Sequence, residues 1–183
     1  MIDISDKKLI IFDFDGIFTD NKVYTSSMGE ESVSCNRSDG LGIKMLKNFI
    51  FFNKIFIDIF ILSSEVNHVV KARSLKLGLN YFQGIGDKAD FTDSYLKNKN
   101  LKYDDLIYLG NDLNDLILIK KAGLSIAPAD SHPLVLKNAN IILSRNGGDG
   151  FVREFVEEVL DIYNLNLGEI HELVSYSGDW NKS

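Results

Sequence analysis

The chain has 183 residues, of which 45% are hydrophobic, and this length and composition suit one domain with its own core. Its formal net charge of −6 argues against nucleic acid as a partner. A single cysteine, Cys35, excludes an internal disulfide and a zinc site built from several cysteines. The first residues lack the basic and then apolar pattern of a signal peptide, so we expect a cytoplasmic protein.

The first predicted element is a strand over residues 9–12, which Asp13-Phe14-Asp15-Gly16 follows. A short apolar run of this kind is typical of a strand buried on both faces of a parallel sheet. Because Asp13 and Asp15 are two residues apart, an extended backbone places both carboxylates on one side, at the carboxyl end of the strand. Two carboxylates so close together favour a hard cation such as Mg²⁺. The alternative is an ordinary turn, in which Asp and Gly are frequent.

Two short β-type runs at residues 23–25 and 32–34 enclose a glycine turn at 28–30. They predict a β-hairpin that forms a flap over the two acids. A helix follows Ser38-Asp39-Gly40, whose side chains are suited to cap it. The apolar run over residues 49–62 contains charged residues and is too short to span a membrane, so it divides into the end of that helix and a buried strand over 55–62.

Strand and helix patterns alternate over the rest of the chain. This alternation predicts an α/β fold, a Rossmann-like parallel sheet flanked by helices with right-handed crossovers. We expect a single domain over residues 1–164 and a C-terminal tail without assigned structure over 165–183. The further helices are predicted at 67–77, 89–98, 116–122 and 151–163, and the further strands at 81–82, 106–109, 124–127 and 141–143.

Polar residues follow four of the predicted strands, and in a doubly wound sheet these strand ends lie side by side. Phosphoryl transfer needs such a set, because a metal and a lysine neutralise phosphate oxygens while carboxylates act as nucleophile and acid. For Lys88 the alternative is a solvated surface lysine, and for Asp115 it is a charge that stabilises a helix N-terminus. The converging residues are Asp13 and Asp15, Ser63, Lys88, and Asp112 with Asp115.

The order of these residues resembles the haloacid dehalogenase superfamily of phosphatases over nearly the whole chain. The segments FDGIFTD, GDK, LGNDLND, ADSHP and GGDGFVREF resemble its small capless branch, which dephosphorylates 3-deoxy-2-ulosonic acid phosphates. The resemblance implies a capless Rossmann-like domain with an open crevice, which relatives close by forming homotetramers. It also implies an Mg²⁺-dependent phosphoric monoester hydrolase whose partner is a small-molecule sugar-acid phosphate.

The resemblance implies a role for each residue of the site. Asp13 is the implied nucleophile, which forms an aspartyl-phosphate, and Asp15 is the implied general acid and then the base for the hydrolytic water. Lys88 is the third implied catalytic residue and, with Ser63, binds the phosphate. The implied Mg²⁺ ligands are the Asp13 carboxylate, the Asp15 main-chain carbonyl and Asp112, with Asn111 and Asp115 beside them, where Asp115 orients Lys88 or a metal-bound water.

Two departures from the branch bear on metal and substrate. Asn111 stands where many relatives have Asp, which removes one negative charge and predicts a weaker or altered metal preference. The segment Ser63-Ser64-Glu65 stands where KDO-8-phosphate phosphatases read Thr-Gly-Arg, and with Arg73 and Lys76 it resembles the nonulosonate 9-phosphate members. We therefore expect KDN-9-phosphate or an N-acylneuraminate-9-phosphate as substrate, with KDO-8-phosphate as the alternative. Arg73 and Lys76, three apart on one helix face, are otherwise ordinary surface cations.

Two other functions stay open. A non-catalytic oligomerisation domain, related to the C-terminal domain of acylneuraminate cytidylyltransferase, needs no phosphatase activity. A receiver domain also uses acids, a hydroxyl, a lysine and Mg²⁺, but it carries its phosphorylated Asp on a later strand than its acidic pair. Outside the site, Gly147, Gly148, Arg153 and His132 are interpreted as turn, cap or loop residues, and Cys35 as an inert thiol.

Overall fold

The structure, a computed structural model, describes residues 2–177 and contains one six-stranded parallel sheet in the order β5-β4-β1-β6-β7-β8. Helices cover both faces of this sheet, so the predicted Rossmann-like α/β fold is confirmed. The strands are β1 Leu9–Phe12, β4 Asp58–Leu62, β5 Asn80–Phe82, β6 Leu106–Leu109, β7 Leu124–Ala127 and β8 Ile141–Ile142.

The helices pack in two layers, one on each face of the sheet. Along β1, Ile10 and Phe12 join one hydrophobic core, whereas Leu9 and Ile11 join the other, because successive side chains of a strand point to opposite faces. The first core includes residues of α1 Arg37–Phe52, α2 His68–Leu77, α6 Phe151–Leu160 and α7 Leu167–Ser175, and the second includes residues of α3 Lys88–Lys99, α4 Leu116–Lys121 and α5 Pro133–Asn138.

Strand β1 lies in the middle of the sheet, between β4 and β6, and all four of its residues are fully buried. The chain winds outward in one direction through β4 and β5 and in the other through β6, β7 and β8. The strand order therefore reverses beside β1, and in open α/β sheets such a reversal places the ligand crevice at the carboxyl ends of the strands.

A β-hairpin is inserted between β1 and α1, and no cap domain accompanies it in this part of the chain. Its strands β2 Tyr24–Thr25 and β3 Glu31–Ser32 are antiparallel and shorter than the sequence predicts. An isolated antiparallel bridge between Thr19 and Cys35 closes the base of the hairpin.

Several element boundaries differ from the predicted ones because local hydrogen bonds set them. Helix α1 begins at Arg37 with Asn36 as its N-cap, upstream of Ser38-Asp39-Gly40, and β4 begins only at Asp58. Helix α6 ends at Leu160, where Asp161 adopts a left-handed conformation at φ 50°. No helix within residues 2–177 is long and apolar enough to cross a membrane.

Part of the tail that the sequence left without assigned structure, residues 165–177, is ordered in regular elements. They include α7, which Asn166 and Glu169 cap reciprocally and which packs on α1. Asn48 of α1 donates to the carbonyl of Leu173 at 2.7 Å, and the ring of Tyr176 stacks on Phe51 at 5.3 Å between centroids. These residues extend the domain, and residues 178–183 of the predicted tail lie outside the described residues.

Candidate active site

The polar residues that the sequence places at strand ends converge at the carboxyl edge of β1, β4 and β6. Asp13 follows β1 directly, and its backbone N–H donates to Leu109 of β6 at 2.9 Å, which fixes it in line with the sheet. Its carboxylate Oδ1 accepts the Phe14 N–H at 2.7 Å. No hydrogen bond from the described chain reaches Asp13 Oδ2.

Lys88, the first residue of α3, extends into the protein rather than into solvent. Asp87 caps α3 by accepting the N–H groups of Ala89 and Asp90, so the helix begins beside the strand ends. The Lys88 side chain is 1% exposed, and its Nζ lies 2.7 Å from Asp13 Oδ1. The same Nζ lies 2.7 Å from Asp115 Oδ1. This burial between two carboxylates is incompatible with the alternative of a solvated surface lysine.

Asp115 is fully buried and accepts four hydrogen bonds, which hold its carboxylate in one orientation. Lys88 Nζ and the Tyr108 hydroxyl, at 2.6 Å, both donate to Oδ1. The backbone N–H groups of Asn111 and Asp112 donate to Oδ2 at 2.9 and 3.3 Å. Sequence reasoning missed Tyr108, although a hydroxyl within the otherwise aliphatic β6 is a signal, because a buried hydroxyl requires a partner.

The buried cluster carries more negative than positive charge. Burial raises the pKa of Asp13 well above its usual value, Asp115 raises it further, and Lys88 opposes the shift. Burial lowers the pKa of Lys88, but Asp13 and Asp115 more than offset this, so that it lies above its ordinary value. A divalent cation beside Asp13 would offset the excess negative charge, which fits the expected metal.

Asn111, rather than Asp112, turns its side chain toward the backbone that follows Asp15. It is 7% exposed, and a Cβ placed on Gly16 would lie 1.9 Å from its Nδ2, so the two residues are in close contact. Its Oδ1 is buried and has no hydrogen-bond partner among residues 2–177. Asp112 is exposed, and its Oδ1 accepts the Leu113 N–H at 2.7 Å. This geometry disfavours the predicted metal ligand Asp112 and instead offers Asn111 Oδ1, an enclosed oxygen of the type that Mg²⁺ binds.

Within residues 2–177, no three His, Cys, Asp or Glu side chains are grouped so that they could hold a metal. The oxygens available to an ion are the Asp13 carboxylate, the expected main-chain carbonyl of Asp15 and the amide oxygen of Asn111. That donor set still fits Mg²⁺, which takes few protein ligands and completes its shell with water and phosphate oxygens.

Asp15 is half-buried and has the properties expected of a proton donor. Burial raises the pKa of its carboxyl, a hydrogen bond from Thr19 at 3.3 Å lowers it, and the charges of Glu65 and Glu31 raise it again. A carboxyl with a raised pKa holds its proton to higher pH, as a general acid requires.

Ser63 lies at the end of β4 and is buried beside the end of β5. Its N–H donates to Phe82 at 2.9 Å, and its Oγ accepts the Glu65 N–H at 3.1 Å. The hydroxyl proton of Ser63 therefore stays available for an anion. Ser64 is half-buried and Glu65 is exposed. The Gly84 N–H donates a hydrogen bond to the Glu65 carbonyl at 2.9 Å and so holds this loop.

Arg73 and Lys76 are not gathered with the carboxylates. The Arg73 guanidinium donates to the Asn36 carbonyl at 2.9 Å and so joins α2 to the start of α1. Lys76 is exposed, and it forms no ion pair or hydrogen bond with the described residues. Of the two predicted substrate cations, only Lys76 is free of a structural contact.

The glycine pair after β8 is more than a turn. A Cβ on Gly147 would lie 1.9 Å from the Gly16 carbonyl oxygen, and one on Gly148 would lie 2.4 Å from the Thr19 carbonyl carbon. Gly148 also donates its N–H to the carbonyl of Ile17 at 3.1 Å. The two glycines thus pack directly against the backbone that follows Asp15.

The remaining singled-out residues have structural contacts. The His132 N–H donates to the Asn111 carbonyl at 2.8 Å, while its Nδ1 accepts the Leu134 N–H as the N-cap of α5. Arg153 pairs with Glu157 at 2.7 Å on α6. Burial raises the pKa of the Cys35 thiol, which agrees with its interpretation as inert.

A parallel sheet with an aspartate pair after its central strand, and a buried lysine between two carboxylates, defines a hydrolase of the haloacid dehalogenase class. Residues 62–155 match the family of haloacid dehalogenase-like hydrolases. The chain belongs to this family.

Curated relatives and solved structures agree with this placement. The chain is 32% identical to the 3-deoxy-D-manno-octulosonate 8-phosphate phosphatase KdsC of Yersinia pestis over 154 residues. These aligned residues cover 84% of this chain and 79% of the relative. It is 31% identical to the KdsC of Escherichia coli K12 over 166 residues, 90% of this chain and 83% of the relative. The expectation of a phosphoric monoester hydrolase of this superfamily is confirmed.

Two solved structures illustrate the similarity in fold. A haloacid dehalogenase superfamily (subfamily III A) hydrolase from Legionella pneumophila has a TM-score of 0.81 at 31% identity, over 94% of this chain and 92% of the other. The 3-deoxy-D-manno-octulosonate 8-phosphate phosphatase from Moraxella catarrhalis, solved with magnesium, phosphate and KDO, has a TM-score of 0.77 at 28% identity, over 86% and 88%.

Proposed function

We propose that this chain is an Mg²⁺-dependent phosphatase that hydrolyses the phosphate monoester of a 2-keto-3-deoxy sugar acid through an aspartyl-phosphate on Asp13. The observation that carries the proposal is the ammonium of Lys88, buried at 2.7 Å from both Asp13 and Asp115. A buried cation beside a strand-end carboxylate neutralises a transferring phosphoryl group. The Moraxella relative, whose structure contains magnesium, phosphate and KDO, supports the same chemistry.

The reaction takes place in two displacements. The Asp13 carboxylate attacks phosphorus, the bond from phosphorus to the sugar oxygen breaks, and Asp15 gives its proton to that oxygen. Water then attacks the aspartyl-phosphate, Asp15 takes the water proton, and inorganic phosphate leaves with Asp13 restored. Lys88 and the Ser63 hydroxyl hold the non-bridging phosphate oxygens in both steps.

The Asp13 carboxylate, the Asp15 main-chain carbonyl and Asn111 Oδ1 would hold the Mg²⁺, in place of the expected set with Asp112. When bound, the ion supplies a positive charge that polarises the phosphate and offsets the negative charge of the nucleophile. The unpartnered Asn111 Oδ1 supports this assignment, because a buried acceptor without a donor costs about 1–3 kcal/mol unless something positive faces it.

The sugar acid is a nonulosonate, carried as its 9-phosphate: KDN-9-phosphate or an N-acylneuraminate-9-phosphate. Glu65, whose charge raises the pKa of Asp15, accepts hydrogen bonds from sugar hydroxyls or an amide, and Ser64 lies beside it in the chain. Arg73 is already bound to Asn36, and Lys76 lies in the last turn of α2, away from the carboxylates, so neither expected cation is assigned to the sugar carboxylate. KDO-8-phosphate is the second candidate, favoured by the names of the curated relatives.

The test is phosphate release, with Mg²⁺ present, from KDN-9-phosphate, N-acetylneuraminate-9-phosphate and KDO-8-phosphate at equal concentrations. We expect turnover of all three, highest for a 9-phosphate, and none with Asp13→Asn. A preference for KDO-8-phosphate would transfer the assignment to the second candidate. Absence of release from every substrate would instead support a non-catalytic oligomerisation domain.

The exposed hairpin supports assembly into a homotetramer. Val23, Tyr24 and Met28 expose 52%, 60% and 85% of their surfaces, although apolar residues of this size are usually covered. The hairpin therefore packs against another copy of the chain. Light scattering should give four times the chain mass for the wild type and a smaller mass for the double variant Tyr24→Ser/Met28→Ser. A monomeric wild type would contradict this assembly.

A further inference from the structure

Tyr108 lies in the most buried part of the sheet, yet its side chain ends in a hydroxyl. It occupies the third position of β6 and has no exposed surface. Its aromatic ring belongs to the hydrophobic core between the sheet and helices α3, α4 and α5. A phenylalanine would fill this space equally well, so packing alone does not explain the hydroxyl.

The hydroxyl has a single acceptor within the described chain, and that acceptor also binds the lysine of the site. Tyr108 donates to Asp115 Oδ1 at 2.6 Å, and Lys88 Nζ donates to the same oxygen at 2.7 Å. A carboxylate oxygen accepts hydrogen bonds along two lone-pair directions. Because Tyr108 occupies one direction, Lys88 is restricted to the other.

The restriction determines where the ammonium lies relative to the nucleophile. Lys88 Nζ bridges Asp115 Oδ1 and Asp13 Oδ1 at 2.7 Å each, and it keeps a third N–H for another acceptor. The other Asp115 oxygen is held by two backbone N–H groups, so the carboxylate cannot rotate to compensate. Without the hydroxyl, the ammonium gains access to the vacated direction, away from Asp13.

We propose that Tyr108 is a positioning residue of the phosphoryl site, which acts through Asp115 to hold the Lys88 ammonium against Asp13. The proposal rests on the phosphatase function proposed above. It adds a residue from the core of the sheet, which touches neither phosphate nor metal. Tyr108 thus determines the direction of Lys88, the cationic side chain that contacts the nucleophile.

The test compares Tyr108→Phe, which removes only the hydroxyl, with the matched control Tyr103→Phe. Tyr103 also donates to a carboxylate, Asp93 Oδ1 at 2.7 Å, but at an exposed position outside the site. The measurements are kcat and KM for p-nitrophenyl phosphate with Mg²⁺, the inhibition constant of orthovanadate, and the melting temperature.

For Tyr108→Phe we expect kcat to fall about tenfold, the effect of one hydrogen bond to a charged group, with a smaller change in KM. Orthovanadate should inhibit the variant more weakly, because it needs the same ammonium. Tyr103→Phe should keep the wild-type values.

Unchanged kcat and vanadate inhibition in a folded Tyr108→Phe variant would overturn the inference and leave the hydroxyl a structural role only. A Tyr108→Phe variant that does not reach the native fold would also overturn the inference, because the hydroxyl would then be needed for folding. If the wild type releases no phosphate, the proposed function fails and this inference falls with it, whereas an active wild type with an equally active variant refutes the inference alone.

Discussion

Lys88 Nζ lies 2.7 Å from Asp13 Oδ1, and both side chains are almost completely buried. The contact joins the start of α3 to the end of β1, two elements that are far apart in the sequence. It is also the place where stability and the proposed chemistry depend on the same charge. The Lys88 ammonium pairs with two buried carboxylates, and the same ammonium would contact the phosphate of a bound substrate.

Replacing this cation by a neutral side chain of similar length should destabilise the protein strongly. Lys88→Met leaves Asp13 and Asp115 buried without their counter-charge, and breaking a buried pair in this way costs about 3–5 kcal/mol. Urea denaturation measures the change, and phosphatase activity should be lost. The control is Lys99→Met, whose partner Asp58 lies 3.0 Å away at an exposed site, where such pairs contribute about 1 kcal/mol or less. Similar losses for both variants would contradict the structure.

Metal affinity distinguishes Asn111 from its neighbour. Asn111→Ala removes the unpartnered buried oxygen and should raise the Mg²⁺ concentration needed for half-maximal activity by about tenfold or more. Asn111→Asp adds a negative charge beside the ion and should lower that concentration. Asp112→Asn is the matched control, since this exposed side chain caps Leu113, and it should leave the Mg²⁺ dependence unchanged. Calorimetric Mg²⁺ titration checks the same order, and a large loss with Asp112→Asn would restore Asp112 as the ligand.

A methyl group at Gly147 should disturb the backbone that carries the acid. The added Cβ would lie 1.9 Å from the Gly16 carbonyl oxygen, so the segment after Asp15 must shift. We expect Gly147→Ala to lower stability by about 1–3 kcal/mol, as overpacking does, and to reduce kcat more than KM. Gly86→Ala is the control, because a Cβ there meets nothing within 4 Å. Kinetics and thermal unfolding should separate the two variants, and equal behaviour would refute the proposed support.

Asp39 predicts how stability depends on pH. Burial raises its pKa from 3.8 to about 6, and a hydrogen bond from the Arg153 N–H opposes the shift. Its Oδ2 accepts no hydrogen bond from the part of the chain that the structure describes. Since the folded state holds this proton more tightly than the unfolded state, stability should fall as the pH rises from about 4 through 6.

Asp39→Asn removes this dependence while keeping an acceptor for the Arg153 N–H. Relative to the wild type, the variant should gain stability of the order of 2 kcal/mol at pH 8 and little at pH 4. Urea denaturation at the two pH values measures the difference. Parallel pH profiles for the two proteins would show that Asp39 keeps its charge in the folded state at no cost.

The central sheet was predictable because its strands are short, strongly apolar runs with abrupt ends. The predicted bounds of β6 and β7 agree with the structure, and Asp13 follows β1 as expected. Helix α7 was missed because its apolar residues Ile170, Leu173 and Val174 are covered only by packing on the surface of α1. That surface is formed by residues distant in the sequence.

Within the site, the approach of Lys88 to Asp13 was predictable from the sequence, whereas the orientation of the side chains of Asn111 and Asp112 was not. The order of strands brings Lys88 to Asp13, so their approach follows from topology. Which of Asn111 and Asp112 turns inward depends on the tight turn that the Asp115 carboxylate stabilises by accepting both of their N–H groups. The same turn brings the Asp115 carboxylate to the Tyr108 hydroxyl, and the spacing of the two residues in the sequence does not predict this hydrogen bond.

The bridge between Thr19 and Cys35 has a consequence for engineering. Because the two stems of the hairpin already meet there, extra chain inserted between them adds little closure entropy, about 0.6 kcal/mol for each doubling of its length. A designed module grafted at the tip of the hairpin would therefore be attached between β1 and α1 while the sheet stays intact. The fold thus provides an attachment point at which new selectivity can be built without rewriting the chemistry.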